Sequence, residues 1–191
     1  MTLSELEQLG DDVAVSEATF QMDEDAFRLF YERTARPVWA YLSRMCGDAR
    51  LADDLLQEAY YRFLRANVSH ESDAHRRNYL FRIATNLVRD HRRRRGHEAR
   101  HVADESQVHD VPADSREGDR AVRRLDLARA MDQMKPRERS LLWLAYAQGC
   151  SHEEIADVLG LKKASLKALL FRARKRLLAL LSTTRIPGER R

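Results

Sequence analysis

Helical periodicity with no competing strand signal is what most constrains this chain. Apolar residues recur at three- and four-residue steps in two blocks, from about Asp25 to Arg95 and from about Arg120 to Leu181. That spacing gathers them on one face of a helix. Alternating apolar and polar runs are almost absent, Val/Ile/Thr clusters are few, and there are only seven glycines. Between the blocks, Gly96–Asp119 has no period and carries Pro112, Gly118 and many acids, the composition of a linker. The expectation is an all-α chain of two small helical domains joined by a flexible acidic linker.

In the first block, Phe27, Phe30, Tyr31, Thr34, Val38 and Leu42 mark one buried face. A second helix, about Arg50 to Leu64, is lined inside by Leu51, Leu55, Ala59 and Phe63. After a polar stretch, Arg65–His75, a third helix carries the stripe Tyr79, Leu80, Ile83, Ala84, Leu87, Val88 and His91. Its other face holds Arg76, Arg77, Arg82, Asn86, Arg89, Arg92 and Arg93. In the second block, Pro136 suits a first helical turn, where its missing N–H costs nothing. Ser151 and Glu154 match the S-x-x-E capping box, and Gly160 supplies a left-handed stop. A basic helix follows, with Leu166, Leu169, Leu170, Ala173 and Leu177 periodic. Two short helices, a glycine turn and a basic second helix read as a helix-turn-helix.

The net charge is only +4, but it is segregated. Residues 1–22 hold five acids and no Lys or Arg, whereas residues 161–191 hold ten basic side chains and one acid. Such separation is the electrostatic footprint of a protein that meets a polyanion. In the last helix Lys162, Lys163, Ser165, Lys167, Arg172, Arg174 and Lys175 are placed for phosphate neutralisation and major-groove contact. Lys162 and Lys163 stand where the helix dipole disfavours cations, a cost that a bound phosphate would offset. In the third helix, Arg89 and the run Arg92–Arg95 suit a DNA backbone. Tyr79 and Phe81, with Tyr60 and Tyr61 on the preceding helix, are candidates for stacking on unpaired bases. Asp53, Asp54, Gln57 and Glu58 form a polar ridge opposite the buried face of the second helix, a docking surface for a basic partner rather than an acid–base site.

Other chemistries find little footing. Cys46 and Cys150 stand in no metal or redox spacing and are expected to be reduced, partly buried side chains. His91, His97, His101, His109 and His152 lack the Cys or carboxylate partners of a metal set, so neither a metal nor a cofactor is expected. Ser151 beside His152 is accounted for by capping, and no nucleophile–base–orienter set is visible. The N-terminus has no basic start or apolar run, and no stretch approaches about 18 consecutive apolar residues. A soluble cytoplasmic protein without membrane insertion is the expectation.

These residues resemble the extracytoplasmic-function sigma factors of the bacterial sigma-70 family. The segment Asp48–Arg65, DARLADDLLQEAYYRFLR, is similar to the region-two helix that docks on the polymerase β′ subunit. By matching position, the resemblance implies docking through Asp53, Asp54, Gln57 and Glu58. Asn78–Arg95, NYLFRIATNLVRDHRRRR, resembles the minus-ten recognition and melting element, with Tyr79 where the family has tryptophan. It implies DNA contact by Tyr79, Arg82, Asn86, Arg89, Arg92, Arg93 and Arg94, with the loop Ala66–His75 holding a flipped base. Met134–Leu177 resembles region four, which reads the minus-thirty-five duplex. Ala168 and Leu169 replace the family's small polar residue and arginine, leaving base readout to Lys163, Ser165, Lys167 and Arg172.

The resemblance implies a non-enzymatic factor that binds the β′ and β subunits of core RNA polymerase and promoter DNA as duplex and opened strand, under an anti-sigma protein. The expected division is an acidic extension over 1–22, region two over 23–96, a linker over 97–119, region four over 120–182 and a tail over 183–191. Family members expose both DNA surfaces only when core polymerase spreads the domains, and the acidic extension is expected to screen those surfaces in free protein. Three rivals are weaker. A dimeric helix-turn-helix regulator would carry a sensor domain in the first block, a sigma mimic would lose the basic residues, and a nucleic-acid enzyme would need a catalytic set.

Overall fold

The computed structural model describes residues 23–66, 72–98 and 118–184, with side chains between 95 and 122 and at 184 left aside. The expected extension over 1–22, residues 67–71 of the loop expected to hold a flipped base, and most of the linker and tail lie outside the described residues. Every described regular element is helical: α1 (Glu24–Cys46), α2 (Ala49–Arg65), α3 (Asp73–Glu98), α4 (Gly118–Asp132), α5 (Pro136–Leu142), α6 (His152–Leu159) and α7 (Lys163–Thr184). A π-helical turn, Trp143–Ala147, prolongs α5.

Local chemistry sets the ends. Asp23 accepts from the Ala26 N–H at 2.7 Å to start α1, and Asp48 accepts from Arg50 and Leu51 to start α2. Glu138 reaches back to the Lys135 N–H at the start of α5, where Pro136 is the first helical residue. The box at α6 forms as the sequence predicts: Ser151 Oγ accepts from the Glu154 N–H at 3.2 Å, and Glu154 Oε2 accepts from the Ser151 N–H at 2.6 Å. Gly160 then stops α6 at φ +65°, a conformation costly for a residue with a Cβ.

Helices α1, α2 and α3 pack on one another, and α4 to α7 form a second group. Phe30 stacks on Phe63 at 5.1 Å between centroids, and Tyr41 meets Phe81 edge-on at 5.5 Å. In the second group Leu141, Leu144, Ile155, Leu166 and Ala173 are buried. Each of these Leu and Ile side chains contributes about 1.5–3 kcal/mol by leaving water.

Two expectations are corrected. Tyr31, assigned to the buried face of α1, is 43 % exposed and lies against the Tyr60 ring. Tyr60 and Phe81, offered as base stackers, are core residues at 6 % and 0 % exposure, and Tyr60 shares a hydrogen bond of 2.7 Å with Thr34 Oγ1. The two helical groups also touch: α3 packs on α6 and α1 on α5, and the buried residues of both form one connected core.

Candidate polymerase-docking and nucleic-acid surfaces

The polar ridge lies on the outer side of α2, whose inner side is fixed by Leu55, Ala59 and Phe63. Asp53, Asp54 and Gln57 are exposed and Glu58 is half-buried. Two of the four are held by neighbours. Trp39 of α1 donates from Nε1 to Asp53 Oδ1 at 2.7 Å, and Arg62 Nε lies 2.6 Å from Glu58 Oε1. A half-buried indole needs an acceptor. The Trp39 contact is absent from the sequence reading because nothing in local spacing joins positions 14 residues apart.

On α3, Tyr79, Arg82, Asn86, Arg89 and Arg93 fall at steps of three and four, so one face carries them all. Tyr79 is half-buried, with its ring 6.1 Å from Phe63 and the Arg82 guanidinium 4.9 Å above it. Arg82, Asn86, Arg93 and Arg94 are exposed. Arg93 lies 3.2 Å from Asp90. Two arginines of the set are engaged inside the molecule. Arg89 donates to the Leu159 carbonyl at the end of α6 at 2.8 Å, and half-buried Arg92 donates to the Met45 carbonyl at the end of α1.

Lys162, just before α7, and Lys163, Ser165, Lys167, Arg172, Arg174 and Lys175 on it are all exposed. Leu166, Leu170 and Ala173 hold the inner side. They do not share one outer face: Arg174 lines an apolar groove of about 490 Å³ with Leu127, Met131 and Trp143, on the side toward α4. The acids that the sequence reading found missing around this helix come from α6. Glu153 Oε1 lies 2.8 Å from Lys163 Nζ, so the cation at the unfavourable helix start is offset within the protein. The contact raises the lysine's pKa and lowers the carboxyl's.

Between α3 and α6 runs a polar cleft of about 370 Å³, lined by His75, Asn78, Tyr79, Arg82, Glu153, Glu154, Asp157 and Lys163. Asn78 Nδ2 donates to Glu154 Oε1 at 2.7 Å. Partial burial alone would raise the Glu154 pKa; hydrogen bonds from Asn78 and Ser151, with Arg77 nearby, outweigh it and hold the carboxyl below its ordinary value. The cleft brings together residues of both candidate DNA surfaces, and Asn78, Glu153 and Asp157 are among the members that sequence reasoning missed. Among the described residues no helix is long and apolar enough to cross a membrane.

Comparison with known proteins agrees with this arrangement. The family model described as Sigma-70 region 2 matches residues 30–98, and that described as Sigma-70, region 4 matches residues 124–177. RNA polymerase sigma factor NccH of Alcaligenes xylosoxydans xylosoxydans is 31 % identical over 186 residues, spanning 92 % of this chain and 97 % of that protein. ECF RNA polymerase sigma factor SigL of Mycobacterium tuberculosis is 30 % identical over 146 residues, 75 % of this chain and 81 % of that one. Among solved structures, the sigma factor RpoE in complex with the anti-sigma factor NepR from Bartonella quintana has the same fold, with a TM-score of 0.70 at 23 % identity over 83 % of this chain and 98 % of that one. With both conserved regions present in order, and relatives of this identity matched over most of their length, the chain belongs to the sigma-70 family, in its extracytoplasmic-function branch.

Proposed function

We infer that the family's division of labour maps onto this chain as follows. Residues 23–96 dock on core RNA polymerase through Asp53, Asp54, Gln57 and Glu58. The face of α3 from Tyr79 to Arg94 meets the opened minus-ten strand. Residues 120–182 read the upstream duplex with Lys162, Lys163, Ser165, Lys167, Arg172, Arg174 and Lys175, and residues 97–119 set the spacing. RNA synthesis belongs to the polymerase, so this chain is no enzyme, and its place is the cytoplasm. Control by an anti-sigma protein is supported by the fold it shares with RpoE, which was solved with the anti-sigma factor NepR. A relative named CnrH, solved with the cytosolic domain of CnrY, has a TM-score of 0.62.

The observation that carries the reading is the exposure of charged residues on three helices of an otherwise apolar-packed frame: acidic on α2, arginine-rich on α3 and basic on α7. The test is co-elution with purified core RNA polymerase, wild type beside Asp54→Arg. Stable co-elution that the charge reversal abolishes is the expected result. Failure of the wild type to bind overturns the docking assignment.

A further inference from the structure

The groove of about 490 Å³ between α4, the π-helical turn and α7 has an apolar lining that includes Leu127, Met131, Trp143 and Leu177. Two of its lining residues, Leu127 and Tyr146, are 44 % and 63 % exposed. Apolar surface left open in this way marks a place where another segment packs. The charges around it say what kind of segment: Arg44, Arg124 and Arg174 line the groove, and among the described residues no acid does. Residues 1–22 answer that description, with Glu5, Glu7, Asp11, Asp12 and Glu17 and no Lys or Arg. Leu3, Leu6 and Leu9 recur at three-residue steps, a spacing that gathers them on one side of a helical turn. Thr2 and Glu5 have the T-x-x-E spacing of a capping box, and Gly10 stands where a helix stops. Other segments outside the described residues fit less well. Residues 185–191 would bring three arginines to an arginine-lined groove, and residues 99–117 contain no leucine.

We propose that residues 3–9 of this chain dock in the groove between α4 and α7, with Leu3, Leu6 and Leu9 on its apolar lining and Glu5 and Glu7 against Arg124 and Arg174. The chain is long enough. Asp23 caps the start of α1 and Arg44 stands in its last turn, about 32 Å further along at 1.5 Å per residue. Residues 10–22, extended, span about 43 Å, which covers that distance. Because the occupant belongs to the same chain, it meets the groove at an effective concentration on the order of millimolar. A protein partner that takes the groove must therefore displace residues 3–9, and the leucine surface they return to water sets the cost. The acid of the extension is in this way directed to one apolar site.

The test uses the full chain with two added thiols and a short bismaleimide, the links being mapped by peptide mass spectrometry. Leu9→Cys should crosslink to Ala147→Cys, in the groove lining, about tenfold faster than to Leu29→Cys, because docking raises the local concentration there. Leu29 is 59 % exposed and far closer to the segment along the chain, so an undocked segment favours it. Leu3→Ser/Leu6→Ser leaves every described core residue untouched and should bring the link at position 147 down to the rate at position 29. Glu5→Arg/Glu7→Arg should slow it as well. Equal rates at the two positions, or no effect of the serine pair, overturn the proposal. An unchanged rate in the charge-reversed form overturns the pairing with Arg124 and Arg174. A link that joins positions 9 and 147 of two different chains also overturns it, and makes a second copy the occupant.

Discussion

Arg139 donates from Nη1 to the carbonyl oxygen of Arg44 at 3.1 Å, so a side chain of α5 closes the last turn of α1. The contact is returned. The Arg44 guanidinium reaches the Ala128 carbonyl in the last turns of α4 and lies 3.5 Å from Asp132. Carbonyls at a helix C-terminus lack intrahelical partners and carry the negative end of its dipole. Each helical group thus supplies the arginine that satisfies the other, which joins the two groups by polar chemistry at the edge of their shared core.

Arg139→Met keeps the apolar stem and removes the guanidinium, leaving the Arg44 carbonyl without its donor. Arg139 is almost fully buried, and burial pulls its pKa down, so its bonds form in poorly solvated surroundings. The expected loss is about 2 kcal/mol, the range for a hydrogen bond to a charged group. Urea denaturation followed by circular dichroism measures it. A change below about 0.5 kcal/mol would mean that the guanidinium contributes no net stability there.

Tyr41 tests whether the two groups unfold as one. Its hydroxyl is buried, lies 2.9 Å from Thr85 Oγ1 and donates to Ser140 Oγ of α5 at 3.2 Å, while Ser140 donates to Met45 Sδ at 3.3 Å. Tyr41→Phe should cost about 1 kcal/mol. In a double-mutant cycle with Ser140→Ala, a coupling of at least about 0.5 kcal/mol is expected if the contact persists in solution. Additive effects would place the groups apart in the free protein.

Much of this architecture was legible because it is local. The capping box of Ser151 and Glu154, the stop at Gly160 and the Pro136 start each depend on residues within four positions, and each forms. The errors arise where burial depends on distant partners. Phe81 lies off the apolar stripe of α3, yet it is buried because that helix is covered by α1, α2 and α6, and three neighbours enclose more than one face. Tyr60 and Tyr31 exchange roles because the α1–α2 crossing decides which ring is inside. The polar ridge on α2 could be found as a row of polar residues, but its anchor Trp39 could not. No local spacing marks Arg139 for burial, and only the helix end it closes, 95 positions away, explains it.

Acid should loosen the α3–α6 contact. The Glu154 carboxyl has an ordinary value of 4.5 and sits lower in the folded protein, where its bonds to Asn78 and Ser151 outweigh partial burial. Asp73 is also lowered, first by Arg33 and then by Arg76. A depressed carboxyl contributes stability that is present above its unfolded value and lost as pH falls through its folded one. Stability in urea should therefore be flat from pH 7 to about 5 and fall below about 4. Glu154→Gln keeps a capping acceptor and should flatten that fall. An unchanged profile would assign the acid sensitivity to other carboxyls.

The reactivity of Cys46 reports whether the groups separate. It ends α1 beside Arg92 and Arg139, and burial pushes its thiol up to about 11, with Arg92 opposing the rise and Asp48 adding to it. Burial raises Cys150 as well. At pH 8 a thiol with that pKa holds roughly a hundredfold less thiolate than an ordinary cysteine, and thiolate is the reactive form. Iodoacetamide should therefore label both residues slowly in native protein and quickly in urea, read by mass spectrometry. Separation of α5 from α1 would expose Cys46, drop its pKa and speed its labelling. Core polymerase, if it spreads the groups as the family resemblance implies, should accelerate labelling at Cys46. Fast labelling of Cys46 in the free protein would show that the Arg139–Arg44 contact is already open in solution.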